Sequence, residues 1–133
     1  METHYRRTHT TVSLINYHFV FCPRYRRQIF LRHDVEIRFK QLVLEICEEL
    51  DINMITLACD KDHTYMYLNA PPTLSPADIM AKIKGVTSKQ LREEFSHLCH
   101  LPSLWTRSYF VSTAGKISSE TIKRYVEQQK TRG

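Results

Sequence analysis

The sequence predicts an α+β domain, an antiparallel sheet with helices on one face and a further helix at the C-terminus. Three observations predict it. Stretches rich in β-branched and aromatic residues fall at 11–22, 54–59, 62–68 and 104–111. Two stretches with apolar residues at helical spacing separate them, one after Asp34 and one after Ser75. A third helical stretch follows Ser118. The order is therefore β-α-β-β-α-β plus a terminal helix, which is the ferredoxin-like pattern.

Each element has a local reason. Residues 1–10 are polar and rich in His, Arg and Thr, and are expected to form a loose arm. Residues 11–22 read as one long strand, ended by Pro23 and followed by the basic, aromatic turn Arg24-Tyr25-Arg26-Arg27. Asp34 is the expected N-cap of the first helix. Its stripe of Val35, Phe39, Leu42, Val43, Ile46 and Leu50 should anchor the core. Residues 54–59 and 62–68 should form a hairpin across Asp60-Lys61-Asp62, stopped by Pro71-Pro72. Ser75-Pro76-Ala77-Asp78 combines an N-cap serine, proline at the first helical position and an acid at the third, so a helix is expected from there to about Phe95. Gly85 inside it is expected to mark a close backbone approach. Residues 112–117 form a glycine-bearing linker, and residues 118–130 a last helix capped by Ser118.

The chain has 133 residues, so a single domain over 1–133 is expected. Four widely spaced cysteines without a CxxC pair argue for buried thiols rather than a zinc finger. His97-Leu98-Cys99-His100 resembles a metal cluster only in isolation. There is no apolar run after a basic start and no apolar segment of membrane-spanning length, so a soluble, cytoplasmic protein with no membrane partner is expected. The net charge of +5 leans toward polyanions. The basic residues cluster as Arg24, Arg26 and Arg27, then Lys82, Lys84, Lys89 and Arg92, which are the candidate DNA contacts. A solvated helix face is the alternative for the second cluster.

Two places carry candidate chemistry. On the strand at 62–68, His63, Tyr65 and Tyr67 share one face while Thr64, Met66 and Leu68 share the other. On the last helix, Tyr125 and Gln129 are neighbours on one face. A phenol beside an amide oxygen fits a nucleophile beside a metal ligand; a tyrosine packing its ring with Gln129 at the rim fits the same spacing.

Taken together, the segments resemble the IS200/IS605 family of single-strand DNA transposases, within the HUH (His-hydrophobe-His) nucleases. The resembling segments are 16–26, Asp62-His63-Thr64-Tyr65 with the strand after it, 83–88, 104–113 and 122–129. They lie in order, correctly spaced, over nearly the whole chain. The resemblance implies a homodimeric enzyme that recognises hairpins at transposon ends and cuts and rejoins single-stranded DNA through a 5′-phosphotyrosine intermediate. It implies Tyr125 as the nucleophile, and His63 and Gln129 as ligands of Mg2+ or Mn2+. The chain departs from the motif at His63-Thr64-Tyr65, where Tyr65 replaces the second histidine. Three readings stand open. Metal binds through His63, Gln129 and further oxygens, with Tyr65 as a candidate; Asp60, Asp62 or His18 substitutes; or cutting is lost and a transposase-derived hairpin-binding protein remains.

Overall fold

The computed structural model describes residues 5–129. Residues 1–4 of the expected arm and residue 130 of the expected last helix lie outside them. The elements are β1 (Arg6–Arg7), β2 (Val12–Ser13), β3 (Asn16–Phe21), α1 (His33–Glu49), β4 (Asn53–Asp60), β5 (His63–Asn69), α2 (Pro76–Glu94), β6 (Phe110–Ser112) and α3 (Ser119–Gln128). The main sheet has the antiparallel order β4-β5-β3-β6. This is the ferredoxin-like arrangement, with the first and third strands of the repeat in the centre.

Strand alternation sorts side chains to the two faces. Phe19 and Phe21 of β3 and Thr64, Met66 and Leu68 of β5 point into the α1–α2 side and are fully buried. The stripe of α1 meets them there, with Val35, Phe39 and Val43 fully buried. The opposite face carries a smaller apolar cluster of Val20, Cys22 and Val126, and α3 lies on it. The expected hairpin forms, Asp60 opposite His63 and Cys59 opposite Thr64, with a shift of register between Met54 and Thr56. α2 starts as expected. The Asp78 amide donates to Ser75 Oγ at 3.0 Å and the Ser75 amide to Asp78 Oδ2 at 3.1 Å, a complete capping box. Ser118 caps α3 by accepting from the Thr121 amide at 3.1 Å.

The structure differs from the sequence reading at five places. Residues 5–10 are tied down rather than loose: β1 pairs with β2, and Arg6 donates to Asn69 Oδ1 at 2.6 Å and to the Asp51 carbonyl at 2.7 Å. The long strand at 11–22 is split, because the first half pairs with β1 and only the second joins the sheet. The N-cap of α1 is Arg32; Asp34 lies in the first turn, where its charge complements the helix dipole and binds the Arg32 guanidinium at 2.7 Å. The final strand begins at Phe110, since Leu104, Trp105 and Thr106 are buried and plug the core instead. The Trp105 ring packs edge-on to Phe21 at 5.0 Å, and its indole N–H donates to Thr87 Oγ1 at 2.9 Å. Gly85 is not a close approach: a Cβ built there meets nothing within 4 Å.

The cysteines are free, and Cys22 and Cys47 are buried as expected, whereas Cys59 is half-buried and Cys99, beyond α2, is exposed. Burial pushes the Cys22 thiol up to about 12 and those of Cys47 and Cys59 to about 11, so these remain unreactive thiols. His97 Nδ1 lies 2.8 Å from Arg32 NH1 rather than in a metal cluster. Among the described residues no helix is long and apolar enough to cross a membrane.

The aromatic centre makes a stability prediction. Phe39 is fully buried between Phe30 at 5.0 Å and Trp105 at 5.5 Å. Phe39→Ala should cost about 3–5 kcal/mol in urea unfolding, with the cavity term included.

Candidate active site

The face of the sheet under α3 brings the expected residues into two groups. The first is built on His63, at the start of β5. Its Nδ1–H donates to Asp62 Oδ1 at 3.0 Å, which leaves Nε2 of the neutral ring as the free lone pair. Asp62 is buried, and Arg26 grips its other oxygen through Nε at 3.0 Å and NH2 at 2.8 Å. Burial alone would raise the Asp62 pKa; the hydrogen bonds from His63 and Arg26 outweigh it and hold the carboxyl below its ordinary value. Arg26 reaches Asp62 from a strained turn. Tyr25 and Arg26 both have positive φ, 57° and 50°, at roughly 1–2 kcal/mol each for non-glycine residues. Arg26 NH1 also lies 3.7 Å from Glu127 of α3. A cleft of about 610 Å³ opens here, lined on one side by Asp60, Asp62 and His63 and on the other by Glu120, Lys123 and Glu127 of α3.

The second group is built on Tyr125. Its hydroxyl is 3.1 Å from Ser108 Oγ, and Ser108 Oγ donates to Gln129 Oε1 at 2.9 Å. A serine hydroxyl has one proton, so Tyr125 donates to Ser108 and Ser108 to Gln129. Gln129 is buried, and its amide reaches back to the Tyr125 carbonyl at 3.4 Å. The Tyr125 ring tilts against Phe110 at 6.0 Å. Ser108 is itself held from behind. Lys84 Nζ donates to the Ser108 carbonyl at 2.8 Å and to the Thr106 carbonyl at 2.9 Å, beneath the ring of Tyr109 at 5.3 Å. Burial lowers the Lys84 pKa to about 8.

Tyr65 stands between the groups and turns elsewhere. Its hydroxyl is 2.7 Å from His18 Nδ1, while His18 Nε2 is 2.8 Å from the Ala114 carbonyl. A carbonyl only accepts, so Nε2 carries the proton; Nδ1 of the neutral ring accepts from Tyr65. Burial, and then the neighbouring Tyr67, raise the Tyr65 pKa, so the phenol keeps its proton. His18 stacks on Tyr67 with ring centroids 4.3 Å apart.

These arrangements test the metal set. His63 Nε2 fits a divalent transition ion. The other donors do not fit: Tyr65 is a protonated phenol facing His18, and Gln129 Oε1 is turned to Ser108. Among the described residues no three His, Cys, Asp or Glu side chains group to hold a metal ion. Asp62, weighed as a substitute, is occupied by Arg26.

The profile of the family described as "Transposase IS200 like" matches residues 11–129. The chain belongs to this transposase family. It is 33% identical over 116 residues to the transposase for insertion sequence element IS200 of Salmonella typhimurium, covering 85% of this chain and 75% of the relative. It is 25% identical over 121 residues to the ISDra2 transposase TnpA of Deinococcus radiodurans, covering 89% and 86%. A crystal structure of a candidate transposase from Deinococcus radiodurans superposes with a TM-score of 0.84 at 25% identity, covering 93% of this chain and 97% of that one. A REP-associated tyrosine transposase bound to a REP hairpin has a TM-score of 0.50 at 13% identity, covering 95% and 69%, and shows likeness of fold alone.

The cations expected to contact DNA divide by environment. Arg26 and Lys82 are engaged in ion pairs, Lys82 with Glu49 at 3.4 Å. Lys84, Arg24 and Arg92 donate to backbone carbonyls. Arg27 and Lys89 are exposed. Sequence reasoning missed Ser108, which links Tyr125 to Gln129, and the Arg26 grip on Asp62. No periodicity marks either, because both contacts join distant segments.

The Lys84 ammonium yields a pH prediction. Its folded pKa of about 8 lies below the ordinary 10.5, so between these values the unfolded chain holds the proton longer. Stability should therefore rise with pH across that window. Urea midpoints of the native chain minus those of Lys84→Met should show that rise and be flat below pH 8.

Proposed function

We propose that this transposase cuts and rejoins single-stranded DNA beside hairpins, with Tyr125 as the nucleophile. The observation that carries this reading is the Tyr125–Ser108–Gln129 chain on the same sheet face as the Asp62-fixed His63. The Tyr125 oxygen attacks phosphorus, a phosphotyrosine bond forms to the 5′ phosphate, and the bond to the 3′ oxygen breaks to leave a hydroxyl. That hydroxyl, or another, reverses the step, so rejoining needs no external energy. Ser108 and Gln129 orient the phenol; neither is a base at neutral pH. The hydrogen-bonded position is thus a resting one, and attack follows release of Tyr125 from Ser108. The hairpin in the related REP structure supports a hairpin as the recognised element. Tyr25, exposed beside Arg27 at 5.4 Å, is suited to stacking on an unpaired base. The free edge of β6, with Val111 exposed, suits pairing with a second copy in the proposed homodimer.

The Mg2+ or Mn2+ ion implied by the family would find one nitrogen here, His63 Nε2, and no step is assigned to it. That observation favours the second reading, hairpin binding without cutting. Incubation with a hairpin-plus-flank oligonucleotide and Mg2+ or Mn2+ separates the two. A denaturant-resistant protein–DNA adduct should form with the native chain and be lost in Tyr125→Phe; binding without adduct under both metals would establish the second reading. Tyr65→His should raise Mn2+ affinity on the order of tenfold, read by calorimetry without DNA.

A further inference from the structure

We propose that the pocket between α2 and the 102–107 segment is a phosphate-binding site that seats one phosphate of the bound nucleic acid. This rests on the nucleic-acid reading above. The pocket is about 340 Å³, and Tyr125 is not among the residues that line it. Four cations line it, Arg24, Lys84, Arg92 and Arg107, and no acidic residue does. None of the four has a carboxylate partner among the described residues.

Three of the cations are held in place rather than swinging in solvent. Arg24 Nε donates to the Trp105 carbonyl at 3.2 Å. Arg92 donates through Nε to the Ser88 carbonyl at 3.0 Å and through NH1 to the Leu101 carbonyl at 3.0 Å. Lys84 is fixed on two carbonyls. Positive groups held this way lose little side-chain freedom when an anion arrives, which is the preorganisation that tight phosphate sites use. Arg107 is exposed at the mouth, free to close over a ligand.

Gly85 is the independent observation. It sits mid-helix on the pocket wall, where glycine weakens the helix relative to alanine. Nothing in the protein needs its missing side chain, since a Cβ there meets no atom within 4 Å. A Cβ there would stand in open space, on a residue that lines the pocket. Glycine there keeps the wall open for a phosphate and its sugar.

The test uses a fluorescent hairpin oligonucleotide and, separately, inorganic phosphate followed by the Gly85 amide resonance. Arg107→Gln and Arg92→Gln should each weaken hairpin binding roughly three- to tenfold and lower the salt slope by about one. Gly85→Ala should raise the thermal midpoint yet weaken binding, which a loss of folding cannot produce. Lys40→Gln, on the far helix and paired with Glu36, should bind as the native chain does. Hairpin binding unchanged in all three pocket variants, or weakened equally in Lys40→Gln, overturns the pocket and leaves the DNA reading standing. If the native chain binds no hairpin, that reading fails; the pocket then stands only if phosphate shifts Gly85 in the native chain and not in Arg92→Gln, and falls otherwise.

Discussion

Everything on the working face depends on the two-residue period of β3 and β5. The same backbone that sends Phe19, Phe21, Met66 and Leu68 into the core sends His18, His63, Tyr65 and Tyr67 the other way. A slip of one residue would exchange the sets, burying imidazoles and phenols among aromatics and exposing phenylalanine. The hydrophobic core therefore fixes the register of the polar site. Cross-strand pairing then sets which polar groups meet: His18 stands opposite Tyr67 and Val20 opposite Tyr65, so the imidazole stacks on one phenol and accepts from the other.

Two cations tie that face to the rest of the chain. Arg26 joins a strained turn, the β4–β5 connection and α3 through Asp62 and Glu127. Lys84 joins α2 to the segment that carries Ser108, and through Ser108 to Tyr125 and Gln129. Neither contributes as a surface ion pair would. Arg26 satisfies the oxygen of the buried Asp62 carboxylate that His63 leaves open, and Lys84 satisfies two backbone carbonyls of the segment between the Pro23–Trp105 bridge and β6.

Patterned parts of the molecule were legible in the sequence. The alternation of 62–68, the stripe of α1 and the Ser-Pro-x-Asp start of α2 each repeat a local rule, and each appears in the structure. The chain's family could likewise be read from ordered segments. What escaped was carried by single residues acting at long range. Trp105 follows Leu104 in a stretch that shows no period, yet it completes the core. Lys84 reads as one more solvated lysine, although it is half-buried and bonded to two backbone carbonyls. Ser108 reaches Tyr125 across 17 residues and Gln129 across 21. The departure at Tyr65 was visible, but its partner was not: only the fold places His18 beside it.

The hydrogen bond from His18 to the Ala114 carbonyl has a mechanical consequence. It fastens the chain to the sheet at residue 114, and the Ala114 amide is fastened again to Ser112 Oγ. Beyond it, Gly115 and Lys116 are exposed, and no hydrogen bond holds residues 115–117 among the described residues. Ala114 is thus the last backbone point fastened to the sheet before α3 begins at Ser119. Tyr65, by orienting His18, sets that anchor, so the residue that stands in place of the second motif histidine also fixes where the tether of the Tyr125 helix starts.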